Sequence, residues 1–394
     1  MRRAWGVLAA VLAASALAPA DAQPSRLERG ESLARLGDCV ACHTAPGGQP
    51  DAGGGRINTP FGYMLAPNIT PDPQTGIGSW TEEEFYRAMH DGINRRGEEM
   101  YPTMPYDFYT KVTREDVSAI FAYLRAVKPV HNAVAANHLH FPFNLRVTML
   151  AWRELYFTSG TFVPDPARPA AWNRGAYLVE GLGHCADCHS PRDHFGGIDK
   201  QKDFTGSFVD GWFALDLTSN LTTGLGEWSV DEIATYLKTG AFEGKTTAVG
   251  PMATVIGNSL QYLTTSDAQA IATYLKAIPA DSTLAARNVP DASRVAGANL
   301  YMNYCAACHQ SLGRGIPGAF PPLAGNSVVL APVPDDLLKV ILVGTPGQYN
   351  RPPMPPDAQQ LTDAQIAAVA NYVRTSWGNA AQPNATAALV HTLR

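Results

Sequence analysis

Three short segments of this sequence share one spacing of two cysteines and a histidine, Cys-x-x-Cys-His. Covalent attachment of a porphyrin needs such a set, because two thiols must reach two vinyl groups while the adjacent imidazole reaches the iron. The three copies use all six cysteines, which leaves little room for a chance motif or a thiol redox pair. We therefore predict three covalently bound haem c groups. The thiols would be Cys39 and Cys42, Cys185 and Cys188, and Cys305 and Cys308, and the axial histidines His43, His189 and His309.

The second axial ligand of each iron must come from the long loop that follows its motif. Methionine is a good candidate, since ligation by His and Met raises the reduction potential of a haem. Each loop offers one Met beside a proline, which stiffens the backbone. The predicted ligands are Met104, Met252 and Met354. Two alternatives stay open: Met100 competes with Met104, and His184 or His194 could replace Met252.

A repeated unit surrounds each motif. A helical segment opened by glycine precedes the motif, and a second helix with apolar residues at 3–4 spacing follows far downstream. The predicted helix pairs lie at 29–36 and 116–124, 174–180 and 267–275, and 296–302 and 365–373. Class I cytochrome c domains have this order, with the first and last helices packed across each other. We expect a mostly α fold of three tandem class I cytochrome c domains, each wrapped around one covalent haem c.

The domain boundaries follow from proline-rich stretches. We expect domains at 23–160, including a linker helix, at 161–285 and at 286–380, followed by a short tail at 381–394. The tail is Ala-, Asn- and Gln-containing, so we expect it to be poorly ordered. The apolar segment 140–157 would be the linker helix between the first two domains, or a surface that docks a partner protein.

The first two units also repeat between the motif and the closing helix. We pair Asn68-Ile69-Thr70 with Asn220-Leu221-Thr222, and each is followed by a Trp and a helix that Thr or Ser can cap. We expect these Asn and Thr groups to bind a haem propionate, or else to form a turn. Trp80 and Trp228 would pack near the haem edge.

Composition excludes several classes of function. A net charge of −5 argues against nucleic acid binding, which needs basic patches. No glycine-rich nucleotide-binding pattern is present. Residues 1–22 have a charged start, an apolar run and an Ala-x-Ala pattern, which predict a secretory signal peptide and export to the periplasm. An uncleaved anchor is the alternative, although the apolar run is shorter than the ~20 residues of a spanning helix.

The chain resembles the triheme cytochrome c subunits of bacterial membrane-bound alcohol, gluconate, sorbitol and related sugar or aldehyde dehydrogenases. The resemblance covers nearly all of the mature chain. It is close at 172–185, 101–106, 258–263 and 372–379. Some members of this family extend past the third domain with an amphipathic membrane-binding tail, whereas this sequence stops soon after Trp377. Direct membrane binding and direct quinone reduction by this chain are therefore left open.

The resemblance implies an electron-transfer subunit of a dehydrogenase complex at the periplasmic face of the inner membrane. A separate catalytic subunit, possibly with a small third subunit, would oxidise the substrate with a flavin, pyrroloquinoline quinone or a molybdenum centre. The cytochrome would pass the electrons to ubiquinone or a terminal oxidase, and would contain no substrate-oxidising centre itself. Two other functions compete: a self-contained haem enzyme such as a peroxidase, which needs an open iron, and a free soluble electron carrier.

Overall fold

The structure is a computed structural model that describes residues 24–280, 291–348 and 351–394. The predicted signal peptide at 1–22 and the predicted boundary at 285–286 lie outside the described residues. The described chain is mostly helical, with short antiparallel strand pairs in its loops. In these parts of the chain, no helix combines the length and the apolar character needed to cross a bilayer.

The first helical unit contains six helices and one small sheet. Its elements are α1 (Arg26–Leu36), α2 (Cys39–Cys42), β1 (Arg56–Thr59), β2 (Gly62–Leu65), α3 (Glu82–Asp91), α4 (Tyr106–Tyr109), α5 (Arg114–Ala126), β3 (His138–Leu139) and α6 (Thr148–Tyr156). The three strands form an antiparallel sheet in the order β1-β2-β3. Thr81 caps α3 with a reciprocal bond to Glu84, which confirms the predicted cap after Trp80.

The second and third units follow the same plan with different loops. The second contains α7 (Ala170–Glu180), α8 (Cys185–His189), β4 (Ser207–Val209), β5 (Trp212–Ala214), α9 (Val230–Thr239), β6 (Ala241–Phe242), β7 (Thr246–Thr247), α10 (Gly250–Asn258) and α11 (Thr265–Lys276), with 3₁₀ turns at Lys200–Lys202 and Leu260–Tyr262. The third contains α12 (Asp291–Tyr304), α13 (Ala306–His309), α14 (Ser327–Leu330), α15 (Asp335–Val343), α16 (Asp363–Arg374) and α17 (Ala387–Leu393). The strands pair β4 with β5 and β6 with β7.

The predicted crossing of first and last helices is confirmed in each unit. The pairs are α1 with α5, α7 with α11, and α12 with α16. One glycine lies at each crossing, and a Cβ there would approach a carbonyl oxygen of the opposite helix far inside contact distance. The approaches are 2.0 Å from Gly30 to Ala119, 2.0 Å from Gly175 to Ala270 and 2.4 Å from Gly297 to Ala368. The glycines let the two backbones touch. Each lies four to six residues inside its helix and not at the start, so the glycine that was predicted to open the helix is a packing requirement.

The first two units share one core, whereas the third has its own. Buried residues from α1, α5, α7 and α11 belong to a single apolar cluster, and those from α15, α16 and α17 form a second. Polar bonds cross the shared interface as well. The Tyr177 hydroxyl donates to Asp116 over 2.5 Å, and Asp116 also pairs with Arg29 at 2.5 Å. The first two units are thus held together by both apolar packing and a buried carboxylate.

The linker interpretation of segment 140–157 agrees with the position of α6. The Trp152 indole donates to the Phe195 carbonyl over 3.2 Å, and the Tyr156 hydroxyl donates to Asp193 over 2.6 Å. Both acceptors belong to the second unit, so α6 bridges the two units. Its outer side exposes apolar residues including Leu150 and Leu155, and the docking alternative stays a prediction.

The expectation of a poorly ordered tail is wrong. After Trp377 the chain returns over the third unit and forms α17, which Thr386 caps. Val390 is fully buried in the core of that unit, and Arg394 pairs with Asp363 at 2.8 Å. Apolar residues at helical spacing in a short Ala-rich segment carry little signal by themselves, because the packing surface for them lies on α15 and α16.

Candidate haem sites

The second motif lies at the mouth of a large apolar cavity. Its two cysteines and His189 fall on the one-turn helix α8, which follows His184 in the left-handed conformation (φ 34°). Cys185, Cys188, His189 and Met252 all line the cavity. Trp228 is part of the same wall, and the positions of Trp80 and Trp228 near a haem edge stay predictions. The donors that one haem needs are therefore gathered around one apolar space.

A backbone carbonyl fixes the orientation of every motif histidine. The Nδ1 atom of His189 lies 2.6 Å from the Leu215 oxygen, that of His43 lies 2.7 Å from the Pro67 oxygen, and that of His309 lies 2.9 Å from the Pro321 oxygen. A carbonyl oxygen can only accept, so Nδ1 carries the proton and Nε2 keeps its lone pair. This is the tautomer that an axial iron ligand needs.

The electrostatics of the motifs suit metal ligation. Burial lowers the pKa of His43, His189 and His309 below the usual 6.5, against the opposing effect of the carbonyl bonds. The imidazoles are therefore neutral at pH 7 and free to bind a metal. Among the described residues, no group of three or more His, Cys, Asp or Glu side chains could hold a bare metal ion. The donor set fits a haem iron with one histidine and one methionine.

The thiols do not have the properties of a redox pair. No disulfide joins any two of the six cysteines. Burial raises the pKa of Cys185 and Cys188 to about 12 and that of Cys42 to about 11. A thiol that exchanges disulfides needs a lowered pKa and an electropositive surrounding. The environment of these thiols thus differs from that of a disulfide-exchanging pair.

The third motif has a smaller cavity with the same donors. Cys305, Cys308, His309 and Met354 all line it. A two-bond bridge between Thr345 and Met354, with N···O distances of 3.0 Å in both directions, positions the methionine loop. The structure therefore brings the predicted Met354 to the same space as its motif.

Met252 and Met104 differ in how they are positioned. Met252 was predicted on a loop, but it lies in the first turn of α10, behind Gly250 with φ 55°. His194, one alternative to Met252, is exposed and is outside the described lining of that cavity, whereas His184 contributes to the lining.

Met104 packs against the core that includes Cys39, while Met100 packs in a separate cluster around Trp152. The choice of Met104 over Met100 as the ligand of the first iron stays a prediction.

The predicted pairing of Asn68 with Asn220 is wrong by four residues. The Thr70 carbonyl accepts from the Ile77 amide over 2.9 Å, and its counterpart is the Thr218 carbonyl, which accepts from Leu225 over 2.7 Å. Asn68 therefore corresponds to Asp216. Asn68 donates both of its amide hydrogens, to the Thr75 hydroxyl at 3.0 Å and to the Val130 carbonyl at 2.8 Å. No side-chain donor of Asn68 is left for a haem propionate, and the role of this side chain is to fix the turn.

Sequence reasoning missed the three carbonyl partners of the histidines. Two of them, Pro67 and Leu215, directly precede the corresponding residues Asn68 and Asp216. A correct alignment of the two loops would have marked these positions as equivalent. A backbone carbonyl partner cannot be recognised from the types of side chain in a sequence, because any residue can supply the carbonyl.

Comparison with known proteins agrees with this geometry. The profile of the family described as Cytochrome c matches residues 27–128 and 295–377. The chain is 40% identical to the cytochrome c subunit of alcohol dehydrogenase (quinone) of Gluconacetobacter polyoxogenes, over 98% of this chain and 87% of that protein. It is 38% identical to the gluconate 2-dehydrogenase cytochrome c subunit of Pantoea cypripedii, over 100% of this chain and 95% of that protein. The chain belongs to this family of cytochrome c subunits.

The cytochrome accordingly contains covalently bound haem c. It is also similar to a nicotinate dehydrogenase subunit of Pseudomonas putida, with 42% identity over 88% of this chain. In that case the cytochrome spans only 30% of the length of the relative. The family profile matches segments of the first and third units, and the second unit lies between the two matches.

Proposed function

We propose that the cytochrome binds three haem c groups and relays electrons from a catalytic dehydrogenase subunit to a quinone or an oxidase. The observation that carries this proposal is the shared lining of neighbouring haem cavities. Thr247, Ala248, Val249 and Val328 line both the second and the third cavity. Electron transfer between haems needs short separations, and a common wall of four residues supports one.

The same argument links the first unit to the second. Leu36 and Asp38, which lie just before Cys39, line the cavity of the second motif. Helix α10, which bears Met252, contacts α2, which bears Cys39 and Cys42. The second site is thus in the middle of the proposed relay, with the other two sites on either side.

Each haem would be held by one motif and one methionine. Two cysteines would form the thioether bonds, and the histidine and the methionine sulfur would be the ligands of the iron. The proposed sets are Cys39, Cys42, His43 and Met104; Cys185, Cys188, His189 and Met252; and Cys305, Cys308, His309 and Met354. Bound haem supplies one-electron chemistry, and a filled sixth position suits electron passage over substrate binding. The chain provides orientation, neutral imidazoles and an apolar wall that excludes water.

The three sites correspond to three proposed cytochrome c domains at 23–160, 161–285 and 286–380. The repeated crossing of two helices at a glycine supports this division, since each unit has its own crossing. The second unit is proposed as a domain of the same kind on this geometry, because its helix pair and motif histidine match those of its neighbours.

The proposed partner is a separate catalytic subunit that carries a flavin, pyrroloquinoline quinone or molybdenum. The relatives support this partner, because they are named as subunits of alcohol and gluconate dehydrogenases. We propose ubiquinone or a terminal oxidase as acceptor, and the periplasmic face of the bacterial inner membrane as the location. The competing functions are a peroxidase-like enzyme and a free carrier.

Gentle purification from membrane and periplasmic fractions tests the partner. We expect a large subunit with its own redox cofactor to accompany the cytochrome, and substrate oxidation by that subunit to reduce the haems. A cytochrome that purifies alone with a high-spin iron would instead favour a self-contained haem enzyme. Isolation alone with all irons low-spin would favour a free carrier.

Replacement of Met354 by alanine is expected to leave one of the three irons without its sixth protein ligand. That haem should become high-spin and its reduction potential should fall, because thioether ligation raises the potential. Visible absorption and a potentiometric titration measure both effects. Met302→Ala is the matched control, since Met302 lies in the same unit with 53% of its surface exposed. An unchanged spectrum in Met354→Ala would mean that another group binds this iron.

A further inference from the structure

A buried carboxyl group lies between the first and second haem sites. Asp38 directly precedes Cys39, has 9% of its surface exposed and adopts the left-handed conformation with φ 47°. Its Oδ1 atom is buried and has no hydrogen-bond partner in the described part of the chain. A buried polar atom without a partner costs free energy, so a functional reason for this aspartate is expected.

Asp38 faces both sites. Its position in the sequence attaches it to the first motif, and its side of α2 lines the cavity of the second motif. Tyr109 closes the space between the motifs. Its hydroxyl donates to the Gly37 carbonyl over 3.2 Å, and its ring centroid lies 5.8 Å from that of His184. A charge on Asp38 would therefore be buried and close to both proposed haem sites.

The charged neighbours do not neutralise Asp38. Asp187 is paired with Arg192, and Arg35 is paired with Glu31 at 2.5 Å. No ion pair includes Asp38 within the described ranges. The titratable and charged groups around this junction are Cys39, Cys42, Asp51, Asp107, Tyr109, His184, Asp187 and Arg192. The two cysteines would be uncharged thioethers in the mature cytochrome.

We propose that the Asp38 carboxyl sets the reduction potentials of the first two haem sites and makes them depend on pH near neutrality. This inference rests on the proposed haem attachment at both motifs. The carboxyl takes a proton from solvent when the adjacent sites gain an electron, and releases it when the electron leaves. The electron comes from the catalytic subunit or an added reductant, so charge and protons balance.

The direction of the effect follows from the acidity of the buried group. Burial raises the pKa of Asp38 from 3.8 to about 7. At a pH well below this pKa the carboxyl is neutral in both redox states, and the reduction potentials do not change with pH. At a pH above it the negative charge stabilises the oxidised iron and lowers the reduction potential. Within the window, the potential falls with rising pH by up to about 59 mV per unit, the one-electron equivalent of a tenfold change in proton activity.

Redox titrations of the holoprotein between pH 5 and pH 9 test the proposal. The wild type should lose potential at one or two of its haems across this range. Asp38→Asn should match the wild type at pH 5 and keep that higher value at pH 9. Asp38→Gly should behave in the same way, since glycine suits the left-handed backbone. Asp210→Asn is the control, because Asp210 has φ 49° but is exposed, and it should retain the wild-type pH dependence.

Two results would overturn the proposal: flat wild-type potentials, or pH dependence that persists in both Asp38 variants. An infrared difference spectrum of the wild type decides the matter if neither variant assembles. Reduction should produce the carbonyl band of a newly protonated carboxyl, and its absence would contradict proton uptake at Asp38. Failure of the proposed function would look different, because a haem would then be missing from the visible spectrum.

Discussion

Gly175→Ala is expected to destabilise the second unit by about 3 kcal/mol or more, because the added methyl overpacks the helix crossing. The new Cβ would lie 2.0 Å from the Ala270 carbonyl oxygen and 2.8 Å from the Cβ of Tyr274. Neither α7 nor α11 can retreat without opening the core that holds the second haem site. The gain in helix propensity, about 1 kcal/mol, is too small to offset this clash.

Thermal unfolding of the purified holoprotein, followed by far-ultraviolet circular dichroism, measures the change. Gly257→Ala is the matched control, since Gly257 is also helical, in α10, and an added Cβ meets no atom within 4 Å. That variant should be neutral or more stable by up to about 1 kcal/mol. Equal stability of the two variants would mean that the helix crossing is looser than the geometry indicates.

The double replacement of Cys185 and Cys188 by serine is expected to interrupt the relay. Without thioether bonds the second haem cannot be retained covalently, and the second site lies between the other two. The haem content should fall by one per chain. Electrons delivered by the catalytic subunit should still reduce one of the remaining haems at the wild-type rate, while the other is no longer reduced on that timescale.

Stopped-flow reduction of the purified complex by the substrate of its catalytic subunit measures the reduction rate of each remaining haem. The two remaining haems serve as internal controls, because their spectra and potentials should be retained. Rapid reduction of both remaining haems would contradict the proposed central position of the second site. Such a result would require direct electron transfer between the first and third sites, or delivery of electrons to each of these sites separately.

Local sequence patterns predicted the parts of the fold that repeat. The Cys-x-x-Cys-His motifs, the glycine before each motif and the apolar spacing of the closing helices located all three helix pairs. The caps at Thr81 and Ser229 were predicted for the same reason, since a reciprocal cap depends on residues three apart in sequence. Each of these features depends on residues that are close in sequence. The motifs and helix pairs recur in all three units, and the caps recur in the first two.

Other features depend on contacts between distant segments, which a single sequence does not display. The order of α17 comes from burial of Val390 against the third unit. The loops of the first two units were misaligned because Asn220 is the same residue type as Asn68. The residue that occupies the equivalent structural position is Asp216. The shared core of the first two units needs α1, α5, α7 and α11 together. The helical position of Met252 was missed because a proline beside a methionine suits a loop and a first helical turn equally well.

The number of haems per chain tests the central claim most directly. Intact-mass measurement of the mature protein, combined with alkaline pyridine spectra, counts covalently bound haem c without reference to any partner. Three haems per chain are predicted, one for each Cys-x-x-Cys-His motif. Two haems per chain, with a pair of free thiols at one motif, would contradict the three-site relay.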